Sequence, residues 1–206
     1  MASPITHAFV GVAFPTALFG RKAGVPVTLL SIVCSIIPDF DKIASRALGL
    51  FTGITLAPIW SHRGISHSFL FALILALLAT SLAVRRRWSS APWRMLFPML
   101  FLVTMSHGLI DVFAGTYGVA LFAPFTTTRY LHPIAAISSI NFWQYFTPAL
   151  GPVLLQEVLW IWLPFSALFV LIRLTAVWGV GHVLSIFSFG RVSGTTVNKG
   201  HTRLRL

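Results

Sequence analysis

Five nearly uncharged apolar runs divide this 206-residue chain, and they restrict the folds that it can adopt. Hydrophobic residues make up 56% of the sequence and charged residues only 9%, and the mean hydropathy of +0.85 is far from that of a soluble domain. Several runs are shorter than the ~20 residues that span a bilayer core, but a tilted helix, or one whose polar end forms a site near the interface, can still cross. We therefore predict an all-α, polytopic bundle of about five transmembrane helices, at residues 8–20, 25–38, 69–84, 95–110 and 152–172.

The basic residues lie between the apolar runs, as topological anchors do. The net charge of +11 comes from 15 Lys and Arg residues against four acids, so it does not indicate a specific nucleic-acid partner. Arg21 and Lys22 follow the first run, and Arg94 and residues 85–87 separate the third from the fourth. With both loops in the cytoplasm, the clustered histidines and acids fall at the outer membrane face. The lone Cys34 excludes an intramolecular disulfide.

The predicted domain organisation is one membrane domain, residues 1–190, followed by a basic, disordered tail, residues 191–206. Residues 174–190 are compatible with a sixth span or with an interfacial continuation. Residues 117–151 are rich in Pro, Thr and aromatic residues, and they predict a long loop over the site at the outer face.

All four acidic residues lie in or beside apolar segments, where a carboxylate is costly unless a cation compensates it. Pro38 ends the second apolar helix, so Asp39 and Asp41 can approach a metal ion from a turn. His107 and Asp111 are four residues apart, on one helical face, and can bind metal together. The alternatives are helix termination in the headgroup region for the first pair and a buried ion pair for the second.

The densest polar stretch is residues 61–68, with the sequence SHRGISHS. His62 and His67 bracket Arg63, and Ser66 is the predicted N-cap of the next helix. The free N–H groups of that helix start would, together with Arg63, suit a phosphate. The alternative is an interfacial turn with a snorkelling arginine.

Two further candidates lie outside these motifs. His7 opens the first helix, and Glu157 lies in the fifth apolar helix, where an intramembrane glutamate is a candidate metal ligand or general base. Arg129 and His132, in the predicted loop, could also reach the site. Nitrogen and oxygen ligands without thiolate favour one to three zinc ions, with manganese or iron as alternatives. The predicted metal ligands are His7, Asp39, Asp41, His62, His67, His107, Asp111 and Glu157.

The pair Thr6-His7 and the motifs PDFD at residues 38–41, HRGISHS at 62–68 and SHGLID at 106–111 resemble those of the YdjM-like family. Its members are bacterial inner-membrane proteins described as metal-dependent hydrolases, some also called LexA-binding. The family is distantly similar to zinc-dependent phospholipases C and single-strand nucleases. That similarity implies phosphoester hydrolysis, but those enzymes add a late HxxxE helix, and here Val153 stands four residues before Glu157. The metal ligands that it implies are Asp39, His67, His107 and Asp111.

The sequence favours a membrane-embedded metal-dependent phosphoesterase that acts on a lipid or lipid-linked phosphate of the bilayer. Asp39 or Glu157 would take the proton from the attacking water, and Arg63 would hold the phosphoryl oxygens. One alternative is an ion- or proton-coupled transporter, since intramembrane carboxylates and histidines also form proton relays. Another is a regulatory membrane anchor that binds a LexA-like partner through the basic tail.

The orientation makes a direct prediction. A Ser89→Cys protein in intact cells should resist an impermeant maleimide, because residue 89 lies in the arginine-rich loop that we place in the cytoplasm. The label should react after the cells are opened. Modification from outside would reverse the predicted topology.

Overall fold

The computed structural model describes residues 2–52, 57, 59–115, 117–134, 137–138 and 142–188. Within these ranges the regular structure is helical, with two isolated β-bridges and no strand, so the all-α prediction is confirmed. A π-helical turn, Val158–Trp162, joins the last two α-helices. The α-helices are α1 (Pro4–Phe19), α2 (Gly24–Ile36), α3 (Phe40–Thr52), α4 (Phe69–Arg85), α5 (Trp93–Val112), α6 (Leu150–Glu157) and α7 (Leu163–Ser188).

Each of the five predicted apolar segments is helical, but the helices differ in length. In the described part of the chain, two helical stretches are long and apolar enough to cross a membrane, Trp93–Val112 and Leu150–Thr175. α1 and α4 are apolar but shorter. Only 6% of the apolar window in Leu150–Thr175 is buried against the protein, so this stretch exposes an apolar surface of the kind that lipid covers.

The helices pack through small residues. α1 lies along α2, α4 lies along α5, and α5 also contacts α1 and α2. A Cβ added to Gly11 of α1 would stand 2.7 Å from the Ile32 Cα of α2, and Ala76 and Ala79 of α4 are buried in the core beside α5. Small side chains let helix backbones approach closely, which is how helices pack when lipid supplies no hydrophobic driving force.

The start of α4 corrects one sequence prediction. Its N-cap is Ser68, whose hydroxyl accepts from the Phe71 N–H at 3.1 Å, and the prediction of Ser66 was wrong. Ser66 lies in a 3₁₀ turn, Ile65–His67, and its hydroxyl donates to Asp41. The Phe69 N–H donates to the Leu121 carbonyl at 2.9 Å, so these two N–H groups of the helix start are not free for a phosphate.

Helix α3 was not predicted from the sequence. It begins at Phe40, directly after the 3₁₀ turn Ile37–Asp39, and none of its residues is fully buried. Residues 174–188 prolong the last helix, because α7 is continuous to Ser188, and the sixth span and the interfacial continuation both stay predictions. The predicted tail, residues 191–206, lies outside the described residues.

Two glycines provide a matched test of this packing. A Cβ at Gly108 of α5 would stand 2.6 Å from the His67 carbonyl oxygen, whereas a Cβ at Gly151 would meet nothing within 4 Å. We expect Gly108→Ala to lower the free energy of unfolding by about 1–3 kcal/mol, because backbone atoms must shift. Gly151→Ala should be neutral or stabilising by up to about 1 kcal/mol. Thermal unfolding in detergent measures both, and equal stability of the two variants would contradict the close α5 contact.

Candidate metal centre

Four buried side chains from three parts of the chain converge at one point. Each offers a ligand atom, and these atoms all lie within 4.8 Å of one another. Asp39 comes from the 3₁₀ turn after α2 and His67 from the 3₁₀ turn before α4, while one turn of α5 supplies the other two. Asp39 is 8% exposed and the others are 2% or less. This four-residue group is Asp39, His67, His107 and Asp111.

The hydrogen bond made by Nδ1 of His107 indicates which ring nitrogen carries the proton. Its Nδ1 lies 2.7 Å from the carbonyl oxygen of Ser35 in α2, and a carbonyl only accepts, so Nδ1 donates. In the neutral ring Nε2 then carries a lone pair, which points into the group. Ser35 also donates through its hydroxyl to the His7 carbonyl at 2.7 Å, so one serine holds α1 and α5 together. Sequence reasoning did not single out Ser35, because the functional atom is a backbone carbonyl.

His67 is oriented by the same logic through a longer relay. Asp41 accepts only, so the Ser66 hydroxyl donates to it and presents a lone pair to His67 Nδ1, 2.9 Å away. The Nδ1 of His67 therefore donates, and in the neutral ring its Nε2 carries the lone pair. A carboxylate behind a ligating histidine is the usual outer arrangement at metal sites.

The two oriented nitrogens face each other. His67 Nε2 and His107 Nε2 are 3.1 Å apart, so a proton on one of them joins the two rings by a hydrogen bond, and a metal ion can take the place of that proton. Asp39 Oδ1 lies 3.5 Å from His107 Nε2 and 3.7 Å from His67 Nε2, and neither oxygen of Asp39 accepts a hydrogen bond. Tetrahedral zinc with bonds of about 2.0–2.2 Å separates its ligand atoms by about 3.4 Å. The nitrogen and oxygen donors therefore fit such an ion.

The electrostatics of the group also favour a positive charge. Burial disfavours the charged form of His67, but Asp39 and Asp41 outweigh burial and raise the pKa of His67 to about 9. Burial likewise opposes the charge on Asp41, yet the hydrogen bonds from His62 and His67 hold the pKa of Asp41 below its usual range. The carboxylates thus remain charged and attract a cation, which either a proton or a metal ion supplies.

His7 lies against the four-residue group. Its ring stacks on His107 with centroids 3.7 Å apart, and its Nε2 is 3.8 Å from Asp111 Oδ1. Both ring nitrogens of His7 are buried and have no hydrogen-bond partner, so they are available as further ligand atoms. Asp111 in turn accepts from the Ala2 N–H at 2.9 Å, which fixes the first residues of the chain beside the group.

Asp41 and His62 form a second group that shares His67. Asp41 lies 2.8 Å from His62 Nδ1 and accepts from the backbone N–H of Arg63 at 3.1 Å. The side chains of Asp41 and His62 are 11% and 25% exposed, so this group lies at the more accessible edge of the site.

Arg63 is buried and faces inward. Its Nε lies 3.1 Å from Asp111 Oδ2, and its Nη1 donates to the carbonyls of Ala114, at 3.0 Å, and Tyr117. Its Nη2 is buried without a hydrogen-bond partner. With only 2% of its surface exposed, Arg63 is not the snorkelling interfacial arginine of the alternative interpretation.

Glu157 is buried at a different place, on the first turn of α1. Its carboxylate accepts from the Ser3 N–H, from the Ser3 hydroxyl at 2.5 Å and from the Thr6 hydroxyl at 2.8 Å. Trp162, at the end of the π turn, donates to the same Thr6 oxygen at 2.7 Å. The structure therefore places Glu157 outside the four-residue group, and its role as ligand or base stays a prediction.

The two candidates of the predicted loop, Arg129 and His132, make their contacts outside the four-residue group. Arg129 donates to the carbonyls of Gly118, at 3.0 Å, and Arg63, at 3.2 Å, so it joins the loop to the HRG segment. His132 packs on the Phe113 ring, and neither Arg129 nor His132 belongs to a metal-ligand group.

Tyr145 was missed by sequence reasoning. Burial raises its pKa to about 12, and the negative charges of Glu157, Asp39 and Asp111 add to the effect, so its ring lies within their field. It lies among aromatic residues at 142–146, a segment that contains no charged residue and no histidine, so sequence reasoning had no reason to select it.

A comparison with known families decides the affiliation of the chain. The model of the family described as YdjM inner membrane protein matches residues 1–183. The chain belongs to this family. It is also 28% identical, over 167 residues, to the inner membrane protein YbcI of Escherichia coli (strain K12), covering 80% of this chain and 92% of that protein. No solved structure matches the chain. As a member of the YdjM family it is an inner membrane protein, in agreement with its membrane-length helices.

The relay behind His67 can be tested with two neighbouring serines. Ser66→Ala should weaken metal binding by about 10- to 100-fold, because the Nδ1 of His67 loses the acceptor that orients it. Ser68→Ala should instead cost about 1 kcal/mol of stability through the lost N-cap, with metal affinity kept. Competition with a chromogenic chelator measures affinity. Unchanged metal affinity of Ser66→Ala would show that this relay does not orient His67.

Proposed function

We propose that this inner membrane protein is a metal-dependent hydrolase, most specifically a phosphoesterase that acts on a lipid or lipid-linked phosphate. The observation that carries the proposal is the convergence of four buried ligand atoms within 4.8 Å of one another, among them His67 Nε2 and His107 Nε2, 3.1 Å apart, beside carboxylates that keep their charge. Zinc is the ion that the donor set favours, with manganese or iron as alternatives.

The four residues of the group would hold the ion, and His7 would complete or extend the ligand set. When bound, such an ion lowers the pKa of a coordinated water and polarises a phosphoryl oxygen. The carboxylates of Asp39, Asp41 and Asp111 would balance the charges of a divalent ion and Arg63. A phosphate ester would therefore bind through direct contacts with the ion and with Arg63.

Arg63 is placed to orient that anion. Its Nε and Nη1 are held by Asp111 and by two carbonyls, while Nη2 has no partner in the protein. An N–H that is buried and unpaired is costly, and a phosphoryl oxygen would satisfy it. Asp39 accepts no hydrogen bond at either oxygen, so it is the residue of the group best able to take a proton from an attacking water.

Proton-coupled transport is the second candidate. The four-residue group is at most 8% exposed, and a deeply buried set of carboxylates and histidines is also typical of proton relays. Hydrolysis consumes a phosphate ester, whereas transport moves protons across the membrane. Purified protein in vesicles can therefore separate the two functions. The regulatory-anchor alternative, with its LexA-like partner, depends on the basic tail, and that tail lies outside the described residues.

The test combines metal content with turnover. Purified full-length protein should contain zinc or a similar ion, and it should hydrolyse a phosphorylated lipid from a panel of phospholipids and isoprenoid phosphates. Asp111→Ala and His107→Ala should lower both metal content and turnover, while Arg63→Lys should keep the metal and lose rate, because the planar fork of the guanidinium is lost.

Two controls complete this prediction. Ser90→Ala, on the arginine-rich loop, should leave metal content and turnover unchanged. Folded wild-type protein that is free of metal and still active would refute the metal-dependent mechanism. Bound metal with equal inertness of wild type and Asp111→Ala towards every phosphorylated lipid would refute the phosphoesterase, and proton flux lost in Asp111→Asn would then favour transport.

A further inference from the structure

Helix α3 exposes its apolar side, while Asp41 in its first turn contacts the rest of the protein. Four of its large apolar residues are 57–89% exposed: Phe40, Ile43, Leu50 and Phe51. At 100° per residue, these four lie within a stripe about 100° wide. Such a stripe normally faces the core of a soluble protein, and here none of its members is buried.

The other side of α3 is committed to the candidate metal centre. Asp41, in its first turn, contacts His62, Ser66 and the backbone N–H of Arg63. These contacts fix the rotation of the helix about its own axis, so the apolar stripe cannot turn inward without breaking the second metal-ligand group. An apolar environment must therefore cover the stripe where it lies.

The chain itself indicates the nature of that environment. It is an inner membrane protein, and the stretch Leu150–Thr175 is another helical segment that is apolar, of membrane-spanning length and only 6% buried. α3 has 13 residues, about 20 Å, too short to cross a bilayer core upright. Arg46 is exposed at the border of the stripe, where a cation reaches anionic headgroups while its neighbours enter the acyl region.

We propose that α3 is an interfacial helix that lies on the bilayer, with its apolar stripe among the acyl chains and Arg46 at anionic headgroups. Its first residue, Phe40, stands between Asp39 and Asp41, and Asp39 is the most exposed member of the four-residue group. α3 thus places the accessible edge of the site at the lipid headgroups. This consequence for the substrate rests on the proposed function, but the position of α3 does not.

Site-directed spin labelling tests the position of α3 without any assay of activity. In a Cys34→Ala background, labels at Leu50→Cys and Arg46→Cys are compared in full-length protein, reconstituted into nanodiscs of phosphatidylglycerol and phosphatidylethanolamine. Val170→Cys, in the apolar part of α7, serves as the lipid control, and Ser90→Cys as the water control. Collisions with oxygen report lipid, and collisions with a water-soluble nickel chelate report solvent.

We expect the label at Leu50 to resemble Val170, with high oxygen and low nickel accessibility, and the label at Arg46 to be more accessible to nickel. High nickel accessibility at Leu50, as at Ser90, would overturn the proposal. Low accessibility to both reagents, with dipolar broadening between labels at Leu50, would overturn it in favour of a second copy of the chain as the cover.

A second measurement addresses the substrate. Leu50→Asp should weaken turnover of a lipid phosphate in vesicles through a higher KM, with metal content unchanged, whereas Thr52→Asp at the same end of the helix should have little effect. If the label at Leu50 reports lipid but no phosphorylated lipid is turned over by wild type, the interfacial helix stands and the phosphoesterase fails. If lipid is hydrolysed equally by wild type and Leu50→Asp, α3 does not deliver the substrate.

Discussion

The opposition of two imidazole nitrogens, His67 Nε2 and His107 Nε2, is the constraint on which the rest of the site depends. The Nδ1 atom of each ring has a hydrogen-bond acceptor that fixes the ring orientation. For His107 the acceptor is the Ser35 carbonyl, and for His67 it is the Ser66 hydroxyl, which donates to Asp41. The two Nε2 atoms then share one cation, which is a proton or a metal ion, and that cation offsets the cost of burying Asp39 and Asp111. Removing either contact would free a ring to rotate, so that its Nε2 would no longer point at the other ring.

The sequence predicted the parts of the fold that follow from composition and spacing. The apolar runs became helices because an apolar stretch in a bilayer satisfies its backbone only as a helix. His107 and Asp111 came together because four residues make about one helical turn. Asp39 and His67 joined them because each lies at a helix end that reaches the same side of α5.

The failures of sequence reasoning have equally specific causes. α3 was missed because its start at Phe40 follows Pro38 so closely that the segment reads as a terminating turn. Ser66 was assigned as the N-cap because the 3₁₀ turn that moves the helix start to Ser68 leaves no mark in the pattern. The hydrogen bonds of Glu157 to Ser3 and Thr6 were not predicted, because these partners are distant in sequence, and its role as ligand or base stays a prediction.

The bond network of Glu157 also sets an order of events during synthesis. Ser3 and Thr6 leave the ribosome first, and the carboxylate that they contact follows more than 150 residues later. Until the segment containing Leu150–Glu157 has been made, the first turn of α1, which places Ala2 on Asp111 and His7 on His107, lacks the acceptor that secures it. Assembly of the buried cluster is thereby coupled to completion of the segment that carries Glu157, the last of the chain's acidic residues to be synthesised.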